Sequence, residues 1–172
     1  LHLGVFMDSE LLGAMQFGPP LQTSHLVGLV EGTRWNGFVE LNRMAFSDRL
    51  PRNSESRALA VSMRLMRKHA PHVQWVVSFA DGTQCGDGAI YRASGFVLTG
   101  VKRNTSLWRT PSGAVVSDVG VRTSENLCRA LGTTGSSASL ASVGCERLAG
   151  FQLRYVFFID PTARERLTVP VL

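Results

Sequence analysis

One stretch of the chain places charged, amide and hydroxyl side chains at the predicted start of a helix. Residues Asp48–Arg57 read DRLPRNSESR and link an apolar segment to an amphipathic one. The first amides of a helix have no partner within it, and its dipole favours negative charge there. With Arg52 and Arg57 adding charge, this junction could hold the phosphates of an anionic cofactor. It could equally be an ordinary capped helix with Asn53 or Ser54 as the N-cap.

Three further residues stand where chemistry is possible. Arg43 lies in a mostly apolar segment, where a guanidinium needs either a function or a structural partner such as Glu40. Asp81 follows a β-branched segment, at the carboxyl end of a strand where α/β sheets place their sites, although Asp-Gly is also a common turn. Tyr91 lies in a short predicted helix that Gly95 ends, and its alternative role is that of a core tyrosine.

The elements that must position these residues follow from hydrophobic periodicity and turn residues. The pattern predicts a hairpin over 2–7 and 11–17, a central strand over 37–46, a helix over 54–69, a strand over 72–80, a short helix over 87–94, strands over 96–103 and 107–110, and a last strand over 151–159. A strand, a helix and a second strand in this order form a βαβ unit, so two neighbouring strands should be parallel.

Length and composition favour one soluble domain over residues 1–172. Hydrophobic residues make up 44% and charged residues 18%, which excludes wholesale disorder, collagen and coiled coil. No apolar run approaches the roughly 18 residues of a membrane span. Eighteen basic residues against thirteen acidic ones give a net charge of +5, which allows a polyanionic partner. Cys85, Cys128 and Cys145 show no CxxC spacing, so we expect a reducing compartment, the cytoplasm.

Two segments lack a clear periodic pattern. Residues 18–36 are interrupted by glycines and prolines, which predicts an irregular, peripheral connection with at most a short helix. Residues 111–150 contain the stretch Gly132–Gly144, which is almost entirely Gly, Ser, Thr and Ala. We expect 111–150 to be a mobile Ser/Gly-rich loop inserted before the last strand, too poor in large apolar residues to form a core of its own.

The order of these elements, followed by Ala89–Phe96, resembles the GNAT acyltransferase superfamily. The resemblance implies an α+β fold: a mixed twisted sheet with helices on both faces, whose central parallel strands splay apart to hold acetyl-CoA or a related acyl donor. It implies that Tyr91 protonates the leaving thiolate. It also implies that the donor's pyrophosphate lies on the helix start, formed by Arg52, Asn53, Ser54, Glu55, Ser56 and Arg57. The superfamily's usual phosphate loop contains glycines, whereas this segment has none.

Four motifs together are similar to the Mom-type DNA adenine modification proteins of Mu-like phages: Glu40–Met44, Pro51–Ser56, Ser78–Asp81 and Leu153–Phe158. In that family the exocyclic amine of adenine in duplex DNA acquires a carbamoylmethyl group, which protects the phage genome from host restriction. The resemblance implies an active site made of Arg43, Ser56, Asp81 and Tyr91. The family also uses a histidine upstream of the opening hairpin, and His2 is not assigned to that role.

This chemistry makes specific demands on the side chains. Adenine's amine is a poor nucleophile and is inaccessible in a stacked duplex, so the base must be flipped into a pocket. We expect Asp81 to accept the amine proton and Tyr91 to carry a second proton, the two side chains facing each other across the slot between the splayed strands. Arg43 would hold a developing anion or the acyl group. Double-stranded DNA would be held electrostatically by Lys102, Arg103, Arg109, Arg147 and Arg154.

The group donor is the open part of this hypothesis. Acetyl transfer would attach a carbonyl carbon, whereas the family's product is joined through a methylene and ends in an amide. Either another acyl donor is used, or a further step or a redox metal participates, and the sequence contains no ligand spacing that decides between them. Two other functions fit the residues: an acyl-CoA-dependent N-acetyltransferase acting on a small amine or protein, and a non-catalytic DNA-binding protein.

Overall fold

A computed structural model describes residues 1–20, 22–83 and 86–172, so Cys85 lies outside the described residues. The chain divides into two compact units, although its length favours one domain. The first unit contains residues 1–80, 87–100 and 153–172, and the second contains 81–86 and 101–152. Each unit has a hydrophobic core of its own.

Outside residues 111–150, the regular elements agree closely with the periodicity of the sequence. The strands are β1 His2–Met7, β2 Glu10–Gly18, β3 Phe38–Phe46, β4 Trp75–Asp81, β5 Val97–Asn104, β6 Leu107–Arg109, β7 Val115–Ser117, β8 Glu146–Arg147 and β9 Gly150–Phe158. The α-helices are α1 Ser54–His69, α2 Ala89–Ala93, α3 Asp118–Thr123, α4 Glu125–Leu131 and α5 Ser137–Ser142. Short 3₁₀ helices cover Thr23–His25 and Pro161–Arg166.

Six strands form the main sheet in the order β1-β2-β3-β4-β9-β5. The first two form the predicted hairpin, and both turn residues, Asp8 (φ 50°) and Ser9 (φ 66°), adopt the left-handed conformation that a two-residue type I′ turn requires. Strands β3 and β4 are parallel, which confirms the βαβ prediction.

The parallel pair stays together over a short distance only. Its paired residues are Phe38 with Trp75, Val39 with Val76 and Glu40 with Val77, although β3 continues to Phe46 and β4 to Asp81. Beyond these three pairs the strands part, and among the described strands none pairs with the β4-facing edge of residues 41–46. This is the splayed pair that the resemblance to acyltransferases implies.

A β-bulge at Asn42 reverses the side-chain alternation of β3. Gln16 of β2 lies opposite Arg43 and Phe17 lies opposite Leu41, so Asn42 is the extra residue. Before the bulge Val39 and Leu41 pack into the core beneath α1, and after it Met44 and Phe46 do so. Arg43 and Ala45 are exposed instead. Arg43 therefore does not share the buried face of Val39 and Leu41, as its place in an apolar segment would suggest, because the bulge turns the guanidinium away from the core.

Each face of the main sheet carries a core. On one face, α1 buries Leu59, Met63 and Met66 against the strands, as its amphipathic pattern predicts. On the other face, Trp75 stacks on Phe38 with ring centroids 4.2 Å apart. This second core also contains Leu26, Leu29 and Val30, and the Pro161–Arg166 helix adds Ala163. The connection 18–36 is thus not peripheral, because it supplies three buried side chains.

The prediction of a mobile loop over 111–150 is wrong, because this segment is mostly regular structure within the second unit. This segment forms β7, α3, α4, α5 and β8, and β7-β6-β8 make a three-stranded sheet. The core consists of Trp108, Val121, Leu140 and Cys145. The serines cap helices: the side chains of Ser117, Ser124 and Ser136 accept hydrogen bonds from the first-turn amides of α3, α4 and α5. The Ser-rich composition therefore provides helix caps, and a few widely spaced apolar residues suffice for the core.

We expect Leu140→Ala to destabilise the second unit by about 2–5 kcal/mol, because it leaves a cavity in a small core. The matched control is Leu127→Ala in the same unit, where the leucine is 39% exposed. Amide hydrogen exchange across α3–α5 measures the local free energy of opening. Equal protection in the two variants would contradict the core described here.

Candidate functional site

A cavity of about 410 Å³ opens at the start of α1. One wall is the link from β3 to α1 together with the first turn of the helix, and the other is α2. Small side chains, Ala89 and Ala93, face the cavity from α2 alongside Ile90. The cavity therefore lies between the helix start that could hold phosphate and the short helix that carries Tyr91.

The start of α1 keeps its first amides free of a side-chain cap. Asn53 occupies the N-cap position but its side chain makes no capping hydrogen bond. The hydroxyl of Ser54 donates to the carbonyl of Pro51 (2.6 Å) and that of Ser56 donates to the carbonyl of Asn53 (3.1 Å). The capped-helix alternative thus places the N-cap correctly but lacks its side-chain hydrogen bond. The Ser54 amide donates to the carbonyl of Pro51 (3.2 Å), which leaves the next amides, those of Glu55 and Ser56, for an anion.

Asn53 also accounts for the missing glycines. Its φ of 67° lies in the left-handed region, which asparagine tolerates better than other residues with a side chain. The tight turn into α1 is therefore made without a glycine. A loop lacking glycines can still expose its backbone amides at this point.

The predicted cofactor-binding residues divide between two cavities. Arg52, Asn53, Glu55 and Ser56 line the cavity beside α2. Ser54 and Arg57 instead line a more apolar cavity of about 520 Å³ between α1 and β1. The carboxylates of Asp48 and Glu55 share the first cavity with the Arg52 guanidinium, so its charge is mixed.

Tyr91 projects from α2 into a group of aromatic rings. Its half-buried ring lies 5.4 Å from the rings of Phe96 and Tyr155, measured between centroids. Gly95, with a φ of 83°, follows the helix in the predicted left-handed conformation. Tyr91 therefore packs against the core, on a helix whose other residues, Ala89, Ile90 and Ala93, line the cavity.

Hydrogen bonds from Tyr155 and Arg92 hold the start of α2. The buried hydroxyl of Tyr155 donates to the carbonyl of Asp87 (2.5 Å). The Arg92 guanidinium donates to the same carbonyl (2.5 Å), to the Tyr155 hydroxyl (3.1 Å) and to the Asp87 carboxylate (2.6 Å). The hydrogen bond from Arg92 lowers the pKa of Asp87, and that bond likewise raises the pKa of Arg92.

Sequence reasoning assigned no role to Tyr155. The available signal was its place in β9, where a single phenol alternates with the apolar Leu153 and Phe157 on a buried face. A buried tyrosine hydroxyl needs a hydrogen-bond partner, and here that partner is the carbonyl of Asp87. The chain has only two tyrosines, Tyr91 and Tyr155, and their rings are in contact.

Arg43 and Arg154, two predicted site residues of the first unit, are among the arginines that have no carboxylate partner in the described ion pairs. Arg43 is exposed and its Nη1 donates to the carbonyl of Asn42 (3.3 Å). Arg154 is half-buried, and burial lowers its pKa. Its Nε and Nη2 donate to the Thr99 hydroxyl (3.1 Å) and carbonyl (2.8 Å), and a Cβ on Gly100 would lie 3.1 Å from Nη2. Hydrogen bonds to Thr99 and close packing against Gly100 therefore hold this guanidinium in place.

Asp81 belongs to the second unit, where its carboxylate is held by hydrogen bonds. Its Oδ1 accepts from the Thr83 amide (2.9 Å) and from Nδ2 of Asn104 (3.1 Å). Asp81-Gly82 thus forms the turn expected of this pair. The carboxylate is also oriented, as a proton acceptor must be.

Four of the predicted DNA-binding residues are exposed on the second unit: Lys102, Arg103, Arg109 and Arg147. None of them takes part in the ion pairs found among the described residues. Arg147 is exposed and lies over the ring of Trp108, 4.7 Å from its centroid, which helps to hold the guanidinium in place.

Two kinds of feature are absent from the described residues. No group of three or more His, Cys, Asp or Glu side chains lies close enough together to hold a metal ion. No helix in the same part of the chain has the length and apolar character needed to cross a membrane.

The fold is similar to that of solved acetyltransferases. A variant of agmatine N-acetyltransferase in its apo form matches with a TM-score of 0.51 and 10% sequence identity, over 91% of this chain and 75% of that one. An acetyltransferase from Bacillus subtilis, solved in complex with CoA, matches with a TM-score of 0.49 and 10% identity over the same shares of the two chains. At this level of identity the first likeness shows the fold alone.

The sequence itself matches more specifically. It is 43% identical over 106 residues to the protein named methylcarbamoylase mom of Escherichia phage Mu. The match covers 61% of this chain and 44% of that relative, so it spans less than half of the relative's length. The model of the Mom protein family matches residues 1–172. The resemblance read from the four short motifs is thereby confirmed, and the chain belongs to the Mom protein family.

Proposed function

We propose that this chain carries the catalytic fold of an enzyme that attaches a carbamoylmethyl group to the exocyclic amine of adenine in DNA. The observation that carries the proposal is the parting of β3 and β4, combined with a cavity at the start of α1 whose lining begins at Ser47, directly after β3, in a member of the Mom protein family. The relative from phage Mu is named for transfer of a methylcarbamoyl group. The modification would protect phage DNA from restriction inside the host cell.

The geometry fits a donor of the acyl-CoA type. The amides of Glu55 and Ser56 in the first turn of α1, together with the Arg52 guanidinium, suit a pyrophosphate. The unpaired edge of β3 offers backbone groups to an extended arm, as an adjoining strand would use them. In an acyl-CoA the activated carbon is the carbonyl carbon, and the thiolate is the leaving group. Arg52, Asn53 and Ser56 would hold its anionic end, and Ala89 and Ala93 leave room beside it.

The transferred group places one requirement on the donor. The new bond joins the adenine nitrogen to a methylene carbon, and the amide nitrogen must arrive with the group. A plain acetyl thioester meets neither condition. The donor class is therefore an activated carrier of a carbamoylmethyl unit, and the fold accounts for the binding of its carrier portion.

The side chains would divide the proton transfers between them. As the N–C bond forms, one N–H bond of the amine breaks, and the oriented carboxylate of Asp81 accepts that proton. Tyr91 would return a proton to the leaving group, which departs with the electron pair of the broken bond. Arg43, exposed on β3 beyond the bulge, would stabilise the charge that develops during transfer.

Double-stranded DNA would bind to cations that have no carboxylate partner. Lys102, Arg103, Arg109 and Arg147 are exposed on the second unit and absent from its ion pairs. Arg154 adds a seated guanidinium in the first unit. Neutralising phosphates releases condensed counterions, so this binding should be strongly salt-dependent.

Nucleoside mass spectrometry of DNA from expressing bacteria tests the reaction. We expect carbamoylmethyl-deoxyadenosine with the unaltered protein, and a decrease of roughly 10²-fold or more with Tyr91→Phe or Asp81→Asn. Arg64→Ala, on the exposed side of α1, is the control and should modify normally. Unmodified adenine from soluble protein would overturn the proposal. Acetylation of small amines or proteins without DNA would instead favour the acetyltransferase alternative.

Calorimetric titration with CoA tests the donor site. Arg52→Gln should weaken binding by roughly tenfold, since it removes a charged hydrogen-bond donor to phosphate. Arg64→Gln removes an equal charge from an exposed position away from the cavity and should bind as the unaltered protein does. An equal loss in both variants would mean that net charge, and not this cavity, governs the affinity.

Titrations of duplex DNA at several salt concentrations test the electrostatic contact. The logarithm of the association constant should fall linearly with that of salt, and Arg103→Gln should reduce the slope by about 0.9 for one lost phosphate contact. The control, Arg122→Gln, removes an arginine that already pairs with Asp118 at 3.6 Å. A flat salt response, or an identical change of slope in the two variants, would remove this binding surface.

A further inference from the structure

We propose that Tyr155 is a positioning residue for Tyr91: its buried hydroxyl anchors the backbone at the start of α2 and so fixes the tyrosine that α2 carries. The inference rests on the proposed function, in which Tyr91 transfers a proton. It adds a second tyrosine, on a different strand, whose contribution to the reaction would be indirect.

Helix α2 cannot fix its own position. It has five residues, and helices of this length are unstable alone because nucleation costs more than so few hydrogen bonds return. Its N-cap is Gly88, which has no side chain with which to cap the helix. The orientation of Tyr91 must therefore be set by contacts outside the helix.

The Tyr155 hydroxyl provides such a contact from a rigid element. Strand β9 lies between β4 and β5 in the sheet, and Tyr155 is fully buried there. The hydroxyl donates to the carbonyl of Asp87, two residues before α2 begins. Because Asp87 and Tyr155 are 68 residues apart in the sequence, this hydrogen bond ties a local loop to the sheet.

Arg92 closes the arrangement from the other end of the helix. It lies in the last turn of α2 and donates to the carbonyl and carboxylate of Asp87 and to the Tyr155 hydroxyl. The Asp87–Arg92 ion pair is exposed, so on its own it contributes little. The Tyr155 hydroxyl is what ties these bonds to a fixed position, because its ring is fully buried in the core.

Packing leaves little freedom for displacement. The Tyr155 ring lies directly beneath the start of α2, where a Cβ on Gly88 would overlap it. Gly88 also has a φ of 72°, so both its conformation and the close contact require glycine. The same ring contacts the ring of Tyr91. A shift of about 1 Å in a reacting group can cost roughly 10²-fold in rate. If the loss of the Tyr155 hydroxyl lets α2 move by that much, Tyr91 would lose its position and the reaction would slow.

A double-mutant cycle on the initial rate of adenine modification tests the coupling. Tyr155→Phe keeps the ring and removes only the hydroxyl, and we expect it to lower the rate at least tenfold. In a Tyr91→Phe background the same change should cost less than twofold, because the residue it positions no longer acts. Val156→Ala truncates the neighbouring residue of β9, whose side chain packs in the core on the opposite face of the sheet, and its effect should be equally large in both backgrounds. An equal effect of Tyr155→Phe in both backgrounds would overturn the proposal.

Spectroscopy of the tyrosines tests the positioning without any activity. In protein labelled with ¹³C-tyrosine, Tyr155→Phe leaves a single signal, that of Tyr91. We expect this signal to shift and broaden relative to the unaltered protein, and the α2 amides to exchange at least tenfold faster. An unmoved signal and unchanged exchange would show that Tyr155 does not position Tyr91. Absence of modified adenine with the unaltered protein would instead count against the proposed function alone.

Discussion

The separation of two parallel strands after three residue pairs is the constraint on which the site depends. Hydrogen bonds between β3 and β4 hold one end of the pair closed, and the stacked rings of Phe38 and Trp75 pack at that end. Beyond Glu40, the bulge at Asn42 bends β3 and increases its twist, so the strand leaves its partner. If β3 and β4 stayed paired along their whole length, β3 would have no unpaired edge on its β4 side, and no backbone groups there would be open to a donor.

The bulge has a second effect that follows from the period of a strand. Side chains alternate between the faces of a sheet, so one extra residue exchanges the faces of every position after it. Met44 and Phe46 thereby join the core, and Arg43 is released to solvent. An arginine that would have required a buried partner becomes an exposed cation near the open end of the strand pair. The same residue insertion thus shapes the slot and orients one of its candidate residues.

The cavity beside α2 depends on long-range contacts for its precision. Its first wall, α1, is a long amphipathic helix that buries a continuous apolar stripe and is stable through its own packing. Its second wall is a five-residue helix that is held by Asp87, Arg92 and Tyr155. Because α1 packs on the sheet and α2 is bonded to it through Tyr155, both walls keep a fixed position relative to the sheet. A donor that contacts both walls would need this.

Local patterns in the sequence determined the hairpin at Asp8-Ser9, the helix over 54–69 and the parallel βαβ unit, because periodicity and turn residues act over a few neighbouring positions. They also identified the α1 start and the family, since those motifs are contiguous. Only the tertiary structure decided the face of Arg43, the core that Trp108, Val121 and Leu140 build in a Ser-rich segment, and the bond from Tyr155 to Asp87. Each of these depends on residues distant in sequence, where strand register and packing outweigh local preference.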